Sequence, residues 1–133
     1  MAGAPYDIFV SYSHADAAWV RGTLVPRLEE SGFSVMIDYR DFVTGSLGID
    51  EMQRGVEQSR HVLLVLTSDY IRSDWSHFEN AMAQASDPAA RWRKIIPVLL
   101  QDCSLPLRLQ IVHYRDLRSD DPQQWDLLIR DLV

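Results

Sequence analysis

Four short runs rich in β-branched and aromatic residues, Tyr6–Ser11, Phe33–Asp38, His61–Thr67 and Lys94–Leu100, alternate with stretches whose apolar residues recur at helical spacing. This alternation constrains the fold more than any other property of the chain. A near-continuously apolar run needs cover on both faces, which is the habit of a parallel strand. Parallel neighbours need a crossover connection, and the helical stretches supply it. A short fifth strand is read at Ile111–Tyr114. The expected architecture is a five-stranded parallel sheet covered by helices on both sides, with right-handed connections. His61–Thr67, the most apolar run, belongs at its centre.

Between the first two strands, Val20, Leu24 and Leu28 repeat every four residues and mark the buried face of a helix. Asp16 is expected to cap its start and Gly32 to end it. Pro26 lies inside this helix, where it removes a donor and crowds the preceding turn, so a kink is expected. After a loop with two glycines, Tyr39–Gly48, a short helix is outlined by Ile49, Met52 and Val56. A longer helix is expected over Asp69–Ala85, with Ile71, Trp75, Phe78, Met82 and Ala85 on one side and Asp87-Pro88 breaking it. Pro97 in the fourth strand points to a bulge or a place near an edge. Pro122–Leu132 reads as the last helix.

The length of 133 residues fits a single domain spanning 1–133. The sequence stops inside a helical stretch, at Val133, so this domain is expected to be the N-terminal part of a longer protein. A net charge of −6 argues against a phosphate-backbone binder, so no nucleic-acid partner is expected. The longest apolar runs, Val62–Leu66 and Ile95–Leu100, are too short to cross a bilayer, and no membrane partner is expected. Cys103 is the single cysteine, which fits a reducing compartment and a cytoplasmic location.

Ligands on such sheets bind beyond the carboxyl ends of the strands, which directs attention to Tyr12–Ala15, Tyr39–Gly48 and Ser68–Asp74. The turn after the first strand holds no glycine, which excludes a dinucleotide fingerprint, and a P-loop is absent. A phospho-acceptor receiver would need an acidic pair after the first strand and a lysine after the fifth; the chain has neither. H-E-x-x-H, paired cysteines and G-x-S-x-G are missing, so zinc and serine hydrolases are excluded and no metal site is expected.

Three motifs in order carry a family resemblance. Tyr6–Ser13 (YDIFVSYS) resembles the opening box of TIR (Toll/interleukin-1 receptor) domains. Ile37–Phe42 followed by Gly45 resembles their second box and its BB loop, and Ser73–Glu79 (SDWSHFE) resembles the S-x-W-x-x-x-E segment of their third major helix. The phenylalanine-tryptophan box of animal receptors is not evident near the C-terminus, which tilts the resemblance toward bacterial, NAD-cleaving members. The implied fold is a flavodoxin-like three-layer α/β sandwich with sheet order 2-1-3-4-5.

Trp75 and Glu79 are four residues apart and therefore share a helix face. By pattern alone Trp75 is core and Glu79 a solvated charge. The resemblance instead implies that Glu79 is catalytic and that NAD+ is the substrate, cleaved at its nicotinamide–ribose bond, with no cofactor. It also implies substrate contacts from Tyr12, Ser13, His14, Asp38, Arg40, Phe42, Gly45, Leu47 and Trp75. The partners expected on this basis are other TIR copies, joined through the BB-like loop and an exposed Phe42, and a fused or separate sensor domain in an immune, antiphage effector. A non-enzymatic interaction scaffold is the alternative.

Overall fold

The computed structural model describes residues 5–133. The strands are β1 (Tyr6–Ser11), β2 (Val35–Met36), β3 (Ser59–Leu66), β4 (Ile95–Leu99) and β5 (Arg115–Asp116). All neighbours are parallel, in the order β2-β1-β3-β4-β5, as expected. The helical segments are α1 (Ala17–Trp19), α2 (Val25–Glu30), α3 (Asp38–Asp41), α4 (Gly48–Gln58), α5 (Ser68–Ser73), α6 (Trp75–Gln84), α7 (Pro88–Trp92), α8 (Leu107–Gln110) and α9 (Pro122–Leu132). No helix among the described residues is long and apolar enough to cross a membrane.

The period-two alternation of the strands splits the core into two layers. Ile8, Val10, Leu63 and Val65 face Val20, Leu24 and Leu28 on one side, joined by Trp125, Leu128 and Leu132 of α9. Phe9, Leu64 and Leu66 face the other side, where Val56 of α4, Tyr70 of α5 and Phe78 and Met82 of α6 cover them. Packing is tightest at Gly55 of α4, where an added Cβ would lie 2.7 Å from Phe9 Cδ1 and force the ring to shift.

Several local expectations are corrected. Just before Pro26, where a kink is expected, the helix widens into a π-helical stretch, Val20–Leu24, in which the Val25 N–H reaches back five residues to the Val20 carbonyl. The wider turn makes room for a ring that cannot donate. Asp16 makes no side-chain cap; its carboxylate accepts from Thr67 Oγ1 at 2.7 Å, and Ser13 instead caps the first turn through the Ala15 N–H. The Asp69–Ala85 helix is broken at Asp74 into α5 and α6. The second strand is shorter than read, because Asp38 opens a helical turn that occupies the start of the Tyr39–Gly48 loop.

The fifth strand is not Ile111–Tyr114. Ile111 is 82% exposed, and the strand falls on Arg115–Asp116. Pairing between β4 and β5 begins at Val98, so Pro97 sits one residue before the edge strand starts and breaks no bond to it. Gly32 ends the first helical region with φ +94°, as its position predicts.

Candidate functional site

The carboxyl ends of β1 and β2 meet the α5–α6 junction around a cleft of about 270 Å³. Its floor is apolar, from Phe9, Val10, Phe42 and Met52, and its mouth is polar, from Tyr12, His14, Asp38 and Asp74. Each polar group is placed by an element end. Tyr12 and His14 follow β1 directly, Asp38 starts α3 after β2, and Asp74 is the break between α5 and α6.

Asp38 is the hub of the mouth. Tyr12 Oη donates to its Oδ1 at 2.6 Å, the Tyr39 N–H donates to the same oxygen at 2.7 Å, and His14 Nε2 lies 2.7 Å from Oδ2. Arg21 Nε donates to Tyr12 Oη at 3.1 Å, and its guanidinium stacks 4.3 Å from the centre of the Tyr39 ring. Burial alone would raise the Asp38 pKa. The hydrogen bonds from Tyr12, His14 and the Tyr39 N–H outweigh it and hold the carboxyl below its ordinary value. Tyr12 is pushed up to about 12, first by burial and then by its bond to Asp38.

Asp74 behaves oppositely. Burial raises its pKa, the negative charges of Asp38 and Asp16 add to the rise, and His14 and His77 offset part of it. Its side chain makes no hydrogen bond or ion pair among the described residues, in contrast to Asp38. Sequence reasoning missed Asp74 as a site residue. Its signal was present, since it ends one of the loops at the carboxyl edge, but the helix break that turns it into the cleft was not legible.

Glu79 and Trp75 do not line this cleft. They border a second depression of about 550 Å³ together with Pro106, Leu107, Arg108 and Ile111. Glu79 is half-buried, and no cation of the described residues pairs with it. Trp75 is largely core, its ring 6.0 Å from that of Phe78 and 6.1 Å from that of Trp92. Because Asp74 lines the cleft and Trp75 the depression, the two spaces flank one helix junction.

Of the other expected contacts, Phe42 lies in the floor of the first cleft and the rest lie elsewhere. Ser13 is buried as a helix cap, and Arg40 is tied to Glu29 at 3.1 Å and to the Val35 carbonyl at 3.2 Å. Gly45 has φ +90°, a backbone requirement of the loop, and lines neither space. Leu47 projects into solvent, 67% exposed. Phe42 is corrected in one respect: it is not exposed but half-buried, stacked 6.1 Å from Phe9. The exposed apolar residues of the loop are Tyr39, Val43 and Leu47.

Comparison with known proteins agrees with this architecture. The family model described as "TIR domain" matches residues 8–132. Toll-like receptor 4 of Felis catus is 36% identical over 125 residues, covering 91% of this chain and 15% of the receptor. The human receptor of the same name is 35% identical with the same coverage, so the chain spans about 15% of the length of these curated relatives. Among solved structures, the TIR domain of the Toll-related receptor TRR-2 from Hydra magnipapillata superposes with a TM-score of 0.81 at 26% identity, covering 96% of this chain and 98% of that one. A metazoan TIR-STING receptor from C. gigas, solved in complex with 2′,3′-cGAMP, gives 0.79 at 28% identity, covering 99% of this chain and 40% of the receptor.

Proposed function

The chain belongs to the TIR domain family, and on that premise we propose that it cleaves the nicotinamide–ribose bond of NAD+ when copies assemble, as NAD-cleaving bacterial members do. The observation that supports this most is the Glu79 carboxylate: half-buried, free of in-chain cations among the described residues, and lining the second depression one helical turn beyond Trp75.

The bond breaks through an oxocarbenium-like sugar, as in glycoside hydrolysis. Nicotinamide departs neutral with the bonding electrons, so no acid is needed. Glu79 hydrogen-bonds the ribose hydroxyls and offsets the growing positive charge. The acid-rimmed first cleft suits the cationic nicotinamide end of NAD+, and Arg108 in the second depression is the cation available to its pyrophosphate. The ribose then lies at the Asp74–Trp75 junction. Water as acceptor gives ADP-ribose; a group of the same molecule gives a cyclic isomer. The self-assembly, a fused or partner sensor domain, a cytoplasmic location and a role in antiviral immunity belong to the same proposal.

Glu79→Gln tests it. Gln keeps the size but not the charge, and nicotinamide release by assembled protein should fall about 10²–10³-fold. Equal release by wild type and variant would remove Glu79 from the mechanism.

A second reading is a non-enzymatic scaffold. Two exposed apolar patches favour it: Val43 and Leu47 in the BB-like loop, and Leu107 and Ile111 at α8. Absence of nicotinamide release by wild type, with assembly confirmed by light scattering, would shift the weight to that reading.

A further inference from the structure

We propose that His14 is the general base that takes the proton of the acceptor, with Asp38 as its positioning residue; this rests on the NAD+ reading above. His14 stands at the mouth of the first cleft, 76% exposed in its side chain and open to an incoming acceptor. Its Nε2 lies 2.7 Å from Asp38 Oδ2. Asp38 is ionised at neutral pH, because its hydrogen bonds hold it low. A carboxylate only accepts, so Nε2 carries the hydrogen of this bond and the neutral ring keeps its lone pair on Nδ1. Tyr12 Oη holds the other carboxylate oxygen at 2.6 Å, so the orienting group is itself fixed. A base oriented by a carboxylate is the recurring design of proton-transfer pairs.

The step balances as follows. Nicotinamide leaves C1′ with the electron pair and vacates the first cleft, and a water oxygen entering that cleft then bonds to the oxocarbenium-like C1′. The water proton passes to His14 Nδ1, and the resulting imidazolium is stabilised by Asp38 before its proton returns to solvent. A ribose or other hydroxyl acceptor loses its proton in the same way. A pyridine nitrogen acceptor has no proton to lose, so exchange of nicotinamide for another pyridine needs Glu79 but not His14.

Other charged groups around the ring have defined places. Asp74 faces it from the α5–α6 junction, Asp16 lies behind Thr67, and His77 acts on Asp74 from α6. None of these is hydrogen-bonded to His14.

The experiment measures two reactions of the assembled chain: hydrolysis of NAD+, and exchange of its nicotinamide for an added substituted pyridine. His14→Gln should lower hydrolysis by about 10²-fold or more while exchange is retained. Asp38→Asn should produce the same split between the reactions. Equal loss of both reactions, or no loss of hydrolysis, in His14→Gln overturns the assignment. Absence of both reactions in wild type overturns the NAD+ reading, and this inference with it.

Discussion

Asp74 is held in a place that costs stability. Its pKa is raised by burial and by neighbouring carboxylates, so the folded chain holds its proton more tightly than the unfolded chain does. Below the ordinary value of 3.8 the folded and unfolded chains both carry the proton and nothing is lost. As pH rises through the folded pKa, the stability present at low pH is lost. Asp74→Asn should therefore raise the melting temperature at pH 7, with a gain that fades as pH falls toward 3.8. Thermal melts at both pH values check it; a gain unchanged at low pH would mean that charge is not the cause. Tyr12, His14 and Asp38 were legible as lining of the cleft because they lie just past the carboxyl ends of β1 and β2. Asp74 was not, because its depth depends on where two helices part. Another residue invisible to pattern is Gly55. Alanine there gains about 1 kcal/mol of helix preference but overpacks against Phe9, at a cost of about 1–3 kcal/mol. Gly55→Ala should be neutral to destabilising in denaturant titration despite its better propensity.

The BB-like loop divides into a part that packs and a part that projects. Phe42 stacks on Phe9 and joins the core layer beneath α4, whereas Val43 and Leu47 are 60% and 67% exposed. Phe42→Ala should destabilise the fold, by less than the roughly 3–5 kcal/mol of a fully buried phenylalanine. Leu47→Glu should leave the stability within about 1 kcal/mol of wild type and weaken self-association, read by light scattering. If Leu47→Glu assembles normally, the loop is not the contact. The loop's glycines and its place after β2 were readable; which aromatic projects was not, since that is decided by Phe9 across the sheet. The edge strand shows the same limit. Ile111–Tyr114 looks like a strand because it is apolar, yet β5 is Arg115–Asp116, two charged residues whose side chains pair with Asp131 and Arg118. An edge strand held by ion pairs carries no apolar signature.

At the scale of the whole molecule, the parallel sheet and the central place of β3 were readable from the alternation and the apolar run, both properties of long segments, and the strand order from the family resemblance. What joins one copy to the next is a relation between surfaces far apart in sequence. The loop patch at Val43 and Leu47 and the α8 patch at Leu107 and Ile111 are different surfaces. A contact between unlike patches is heterologous and repeats from copy to copy. The α8 patch borders the depression that holds Glu79, so a loop docked there would close that space. Two defects placed in different copies should then compensate. Leu47→Glu has a spoiled loop and an intact Glu79; Glu79→Gln has an intact loop and a silent carboxylate. Each alone should release little nicotinamide. Mixed, the Glu79→Gln loop covers the intact site of Leu47→Glu, and release should recover to well above the sum of the two separate proteins. If the loop acted only on its own copy's site, mixing would restore nothing, and the rate would equal that sum at every ratio. Release measured across a series of mixing ratios at constant total protein distinguishes the two, because recovery through neighbours peaks at an intermediate ratio whereas independent copies vary linearly.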